Sequence, residues 1–369
     1  MDATPDSAKP VAIIGMGFRL PGGISTDAQY WDLLINKKNG RCRVPATRYN
    51  VDGFGGGKMQ TQFLATEYGY FLQTELSNID PSFFSMKPAD ATVLDPQLRL
   101  LLEVAWECME SAGQTHKLVG SDTGVFVGVF GEDWHNMLHR DDLMPNTHRV
   151  LSAGDYALSN MLSRHMTIRT ACSSSLSGLH IACQSLNSGD CSTAMVLGSS
   201  LIMDPSMTLD MSALGILAPD GRCKTFDTLA DGFARAEAVN AILIKPLEAA
   251  IRDGDPIRAV IRSTAVNSDG KTPHVGTPST DAQRSLILRA YQSAGNDNGR
   301  RAGDSGAVRP LQPVRAAVAV PVVRRHHAHL EGAGQRFGGQ PSSTGDDGGT
   351  GQTGGNEHKD SGGGTAVAW

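Results

Sequence analysis

Ile168-Arg-Thr-Ala-Cys172-Ser-Ser-Ser175 runs without a break into Leu176-Ser-Gly-Leu-His-Ile-Ala-Cys-Gln-Ser-Leu186, and this stretch decides the fold. A short β-leaning run, Met166 to Thr170, meets a cluster of small residues, and an apolar pattern of helical period then begins. Leu176, Leu179, Cys183 and Leu186 recur at three- and four-residue steps, which predicts a helix over 173–187 with one buried face. Cys172 therefore stands at the hinge between a strand and the first turn of a helix. A helix N-terminus carries partial positive charge and unpaired N–H groups, which lower a thiol pKa and favour the nucleophilic thiolate. Small neighbours let a substrate or another chain segment approach closely. The feature reads as a nucleophile elbow built around cysteine. A cysteine near an apolar helix is more often a small core hydrophobe, and Cys42, Cys108, Cys183, Cys191 and Cys223 are read that way.

Outward from the elbow, strand-like apolar runs at Val11–Gly15, Gly124–Val129, Ala194–Gly198, Ala241–Ile244 and Ala259–Ile261 alternate with helical patterns such as Pro96–Ala112. That alternation predicts an α/β architecture around a largely buried sheet. At 369 residues and 40% hydrophobic content, the chain can bury one large core or two small ones. A net charge of −5 argues against nucleic acid or an anionic membrane as the main partner. Six cysteines without short paired spacing indicate a reducing compartment rather than a disulfide framework. The start, Met1-Asp-Ala-Thr-Pro-Asp, is acidic where a signal peptide is basic, and no apolar run reaches membrane-spanning length, so a cytoplasmic location is expected.

Thr170-Ala-Cys-Ser-Ser-Ser175 resembles the active-site signature of β-ketoacyl synthases, in particular the ketosynthase domain of fungal-type iterative polyketide synthases. The resemblance runs through most of the first 295 residues. Val11-Ala-Ile-Ile-Gly-Met-Gly17, Asp80-Pro-Ser-Phe-Phe84, Leu94-Asp-Pro-Gln97, Gly221-Arg-Cys-Lys-Thr-Phe-Asp227, Ala230-Asp-Gly-Phe-Ala-Arg235 and Asn267-Ser-Asp-Gly-Lys-Thr272 follow in the family's order. It implies the thiolase-like fold, in which two similar halves each build a five-stranded sheet between helices. The second half is expected to be incomplete. The expected organisation is a flexible N-terminus at 1–9, the half carrying the elbow at 10–257, the start of the second half at 258–295, and an aberrant tail at 296–369.

Three departures bear on function. Ser159-Asn-Met-Leu-Ser-Arg-His165 passes directly into Met166, where the family has a longer stretch with a Gly-Pro turn, and Arg169 stands where an acidic residue is more usual. Ala236, Ala238 and Asn240 stand where the family has glycines, and a Cβ there would obstruct positive φ or close backbone approach. After Gly295 the periodicity is lost, and from Glu331 to the end 13 of 39 residues are glycine, which predicts a disordered tail. The family's first catalytic histidine segment, expected soon after Gly295, is absent. His329-Leu-Glu-Gly-Ala-Gly334 resembles the second, although Ala328 replaces its glycine. The cluster His326-His327-Ala328-His329 is not expected to form a dedicated metal site.

The resemblance implies that Cys172 accepts an acyl group as a thioester and that a carrier-bound malonyl unit then loses carbon dioxide and attacks it. Phe233 and Thr272 are implied as substrate-proximal, and His329 as a remnant catalytic imidazole. No cofactor is implied. Acyl and malonyl thioesters on an acyl carrier protein are the expected partners, with a homodimer or pairing with an intact ketosynthase. Condensation is expected to be impaired, because removing one electrophilic donor costs on the order of a hundredfold to a thousandfold in rate. The alternatives are a non-catalytic partner of an intact ketosynthase and a degenerate remnant without a stable fold.

Overall fold

The structure, a computed structural model, describes residues 9–54, 63–118, 120–140, 166–224, 227–272, 279–294, 316–317 and 320–321. Its first elements are β1 (Val11–Arg19), α1 (Asp27–Ile35), β2 (Arg41–Arg43), β3 (Tyr68–Tyr70), α2 (Pro88–Val93), α3 (Pro96–Ser111), β4 (Gly124–Val129) and α4 (Asp133–Arg140). There follow β5 (Met166–Ile168), α5 (Ser174–Ser188), β6 (Ala194–Ser200), α6 (Ser206–Ala213), β7 (Ala238–Pro246) and α7 (Leu247–Asp253). The last are β8 (Ala259–Ile261), β9 (Thr264–Ala265), α8 (Thr280–Ser293), β10 (Ala316–Ala317) and β11 (Val320–Pro321).

Seven strands form the main sheet in the order β10-β8-β1-β7-β6-β4-β5. β4 is parallel to both β5 and β6, whereas β7 is antiparallel to β6 and to β1. All six residues of β4 are buried, as its unbroken apolar run requires of a strand covered on both faces. The period-2 alternation of a strand then divides its side chains between two cores. Val125, Val127 and Val129 pack with Leu98, Leu101, Val104 and Cys108 of α3. Phe126 turns the other way, to Leu179, Ala182, Cys183 and Leu186 of α5. The predicted α5 face is buried except at Leu176, which is only half-buried.

Two glycines seat α3 on the sheet. A Cβ on Gly15 would stand 2.4 Å from Cys108 O, and one on Gly17 would stand 2.5 Å from Val104 O. The helix therefore rests on the backbone of β1. Asp95 caps it by accepting a hydrogen bond from Gln97 N at 2.8 Å, with Pro96 opening the first turn.

Of the expected second half, the described residues hold β8, β9, α8 and two dipeptide strands. β8 lies antiparallel beside β1, and Ala265, Leu286 and Ala290 make a small core of their own. On α8 only the Leu286–Ala290 edge faces β9, and Ile287 and Tyr291 are 37% and 40% exposed. Within the tail, Ala316–Ala317 pairs parallel with β8 and Val320–Pro321 with β9. Three of these four residues belong to an apolar run, Ala316-Ala-Val-Ala-Val320, that its Gly- and Arg-rich surroundings obscured, and Pro321 follows it directly. The rest of 296–369 lies outside the described residues, as does His329.

Candidate active site

Because β4, β5 and β6 are parallel, their carboxyl ends share one edge of the sheet, the place where open α/β sheets build their sites. The turn after β5 carries Cys172. The turns after β4 and β6 are tied together by Asp133, whose Oδ2 accepts from Met203 N at 2.8 Å and Asp204 N at 3.0 Å. Burial raises the Asp133 carboxyl above the usual carboxylate range. Arg140 Nη1 reaches Asp204 Oδ2 at 2.7 Å and extends the same tie. Sequence reading did not single out Asp133, since an acidic residue after a strand has no distinguishing local signal.

The elbow is a closed set of short hydrogen bonds. Thr170 N donates to Ser174 Oγ at 2.9 Å, and that hydroxyl lies 2.6 Å from Ala171 O and 3.2 Å from Val129 O. Ser173 Oγ donates to Thr170 O at 2.8 Å. To close this loop, Ala171 adopts φ +55°, a left-handed conformation that costs an L-residue about 1–2 kcal/mol. Ser173 and Ser174 are buried by the closure, while Cys172 between Ala171 and Ser173 remains exposed. Ser173 is the N-cap of α5, so the thiol stands one residue ahead of the N-cap.

Glycines bring that helix onto the sheet. A Cβ on Gly128 would stand 2.3 Å from Ser175 N, and one on Gly198 would stand 3.0 Å from Ser175 Cβ. A side chain at 128 would collide with the helix backbone and one at 198 would crowd Ser175, so the first turn of α5 is fixed against β4 and β6 three residues from Cys172.

The six thiols separate by environment. Burial pushes Cys108 and Cys183 up to about 12 and raises Cys191 as well, which leaves all three as unreactive thiols. Cys42 is half-buried, and Cys172 and Cys223 are exposed. Cys223 was expected in the core. It lies instead on an open loop, where its Sγ accepts from Ala234 N at 3.3 Å. Only Cys172 combines exposure with a helix N-terminus.

The remaining expectations fall as follows. Phe233 and Thr272 are half-buried. Phe233 is held against the 216–218 loop, its N–H donating to Ile216 O at 3.1 Å and its carbonyl accepting from Ala218 N at 2.9 Å. The substitutions at Ala236, Ala238 and Asn240 do not strain the backbone: none has positive φ, and the last two lie within β7. Arg169, three residues ahead of Cys172, forms an ion pair with Glu132 at 2.6 Å. Among the described residues, no group of three or more His, Cys, Asp or Glu side chains is arranged to hold a metal, and no helix is long and apolar enough to cross a membrane.

Known proteins carry the same arrangement. A profile of the β-ketoacyl synthase N-terminal domain matches residues 8–250. A highly reducing polyketide synthase of a Fusarium species is 50% identical over 297 residues, which is 78% of this chain and 12% of that protein. One from Gibberella moniliformis is 47% identical over 295 residues, again 78% of this chain and 11% of its own length. Among solved structures, an oxazolomycin ketosynthase domain of Streptomyces albus superposes with a TM-score of 0.71 at 31% identity, over 78% of this chain and 51% of that one. The ketosynthase from module 6 of the Bacillus subtilis bacillaene synthase gives 0.67 at 32%, over 78% and 49%. The chain thus spans about an eighth of its curated relatives and about half of the solved ketosynthase chains. With the thiolase-like fold of those neighbours and a cysteine elbow at the sheet's carboxyl edge, the chain belongs to the β-ketoacyl synthase family.

Proposed function

We propose that this chain is a truncated ketosynthase-like protein of polyketide biosynthesis that loads an acyl group on Cys172 and is impaired in the condensation that follows. The observation that carries the reading is the elbow itself: an exposed thiol one residue ahead of the α5 N-cap, on a backbone fixed by Ser174 and Gly128. In the loading step the Cys172 thiolate attacks the carbonyl carbon of an acyl thioester on an acyl carrier protein. The tetrahedral adduct collapses, the carrier's sulfur leaves as a thiolate, and the acyl group stays on Cys172. A nucleophile whose charge is favoured by a helix N-terminus needs no partner imidazole for this exchange. Condensation needs more. Decarboxylation of malonyl thioester requires donors on its carbonyl oxygen as the enolate charge develops, and each such donor is worth about 2.7–4 kcal/mol. The sequence lacks the family's first histidine segment, and His329 is the sole fragment of the second. Phe233 and Thr272 are assigned to the walls of the acyl site, and cytoplasmic pairing with a second ketosynthase copy is part of the same reading.

The test incubates the purified chain with an acyl thioester and then with malonyl carrier protein. Expected are an acyl mass increment on the Cys172 peptide, absent in Cys172→Ala, and carbon dioxide release no faster than in that variant. Absence of the increment overturns the loading reading. Carbon dioxide release and β-ketoacyl product at ordinary enzymatic rates overturn the impairment, and their loss in His329→Ala would assign that histidine to catalysis.

A further inference from the structure

We infer that Glu132 and Arg169 act together as a positioning pair for the Cys172 elbow, an inference that rests on the site reading above. The two residues leave adjacent parallel strands: Glu132 follows the end of β4 at Val129 by three residues, and Arg169 directly follows β5 at Ile168. Each sits next to a left-handed backbone turn. Gly131 has φ +99° immediately before Glu132, and Ala171 has φ +55° two residues after Arg169. Arg169 Nη1 meets Glu132 Oε1 at 2.6 Å, so the pair joins the two turns across the carboxyl edge of the sheet. On the far side of the same turn, Ser174 Oγ lies 3.2 Å from Val129 O. The Thr170–Ser173 segment is therefore held to the end of β4 from both flanks, by a neutral contact on the helix side and an ionic one on the strand side. A residue in the left-handed region relaxes unless its surroundings over-determine it. The ion pair supplies that restraint where the elbow is open to solvent, with Arg169 39% and Glu132 47% exposed. The positive charge at 169, unexpected for this signature, thus has its complement on the neighbouring turn rather than being a bare departure.

Exposed pairs of this kind are weak, so the effect on the elbow is a population shift and not a collapse. The experiment measures alkylation of the full chain by limiting iodoacetamide, with Cys172 and Cys223 labelling quantified in the same molecule by mass spectrometry. Cys223 is the other exposed thiol and serves as the internal reference. Arg169→Gln and Glu132→Gln should each lower the Cys172-to-Cys223 ratio by about two- to fivefold, matching the worth of an exposed pair. The exchanged variant Glu132→Arg with Arg169→Glu should restore the ratio, and Arg169→Lys should restore part of it. A merely structural loss would move both thiols together and would not be rescued by exchange. Unchanged ratios in the single variants, or failure of the exchanged pair to rescue them, overturns the inference. If wild-type Cys172 labels more slowly than Cys223, the reading of the site itself has failed, which is a separate result.

Discussion

At the scale of single residues, reactivity at Cys172 follows from three neighbours: Ala171 in a left-handed turn, Ser173 at the N-cap, and Ser174 bridging to β4. Limiting electrophile should therefore label Cys172 ahead of Cys223, with Cys108, Cys183 and Cys191 silent in the folded chain. Preferential labelling of Cys223, mapped by peptide mass, would contradict the elbow assignment. The strain at Ala171 makes a second test. Glycine takes φ +55° freely but loses more entropy on folding, so Ala171→Gly should stabilise by up to about 1 kcal/mol. A β-branched residue fits that region poorly, and Ala171→Val should lower stability by more than 1 kcal/mol in urea unfolding, on the order of the left-handed penalty. Equal midpoints for the two variants would show that the turn holds no strain. The exposed elbow thiol was legible in the sequence, but the strain at Ala171 was not. The cluster of small residues announced a tight turn, but which residue turns left is decided by where β4 and α5 meet.

At the scale of elements, the sequence pattern located β4 and β8 to the residue because both are unbroken apolar runs. It found only part of β7, which begins three residues earlier, since Ala238-Val-Asn240 carries too little apolar pattern to read as strand. The glycines that place α5 and α3 on the sheet were invisible as contacts, because a glycine's purpose lies in the atom that approaches it. Electrostatics within an element is equally hidden. Asp95 caps α3 while 8% exposed, and burial pushes its carboxyl up to about 6, despite the hydrogen bonds from Gln97 and the nearby Arg99. Because the folded value lies above the ordinary carboxylate value near 3.9, the folded state holds the proton more tightly. The group's contribution is then largest below about pH 4 and declines as pH rises through about 6, by about 3 kcal/mol for a shift of roughly two units. Asp95→Asn keeps a capping oxygen and cannot ionise. Its stability relative to wild type should rise steadily between about pH 4 and 6 in paired urea titrations; a flat or falling difference would contradict the assignment.

At the scale of the molecule, the loops around the sheet are gathered by one carboxylate. Glu237 is fully buried at the head of β7 and accepts from Arg48 Nε at 2.8 Å, Arg48 Nη2 at 3.0 Å, Leu72 N at 2.8 Å and Ile202 N at 3.1 Å. Arg48 and Glu237 stand 189 residues apart, and the segments they join carry the small core of Val44, Val51, Phe71 and Ile202. Arg48→Met keeps length and apolar stem but leaves Glu237 as a buried charge with only backbone donors. Breaking a buried pair from one side costs about 3–5 kcal/mol. Loss of a few kilocalories is a large part of a domain's net stability of roughly 5–15 kcal/mol. Pairing the change with Glu237→Gln removes the orphaned charge while keeping an acceptor for Leu72 and Ile202. The double variant should therefore be more stable than Arg48→Met alone, although both lie below wild type. The measurement is a double-mutant cycle by urea denaturation, and near-additive single effects would show that the two side chains do not act as one ionic unit. The loops they hold, through Ile202 and the neighbouring Met203–Asp204 turn, reach the edge where Cys172 stands. Arg48→Met should consequently lower Cys172 labelling along with stability, because Ile202 N–H bonds Glu237 while the next two N–H groups bond Asp133.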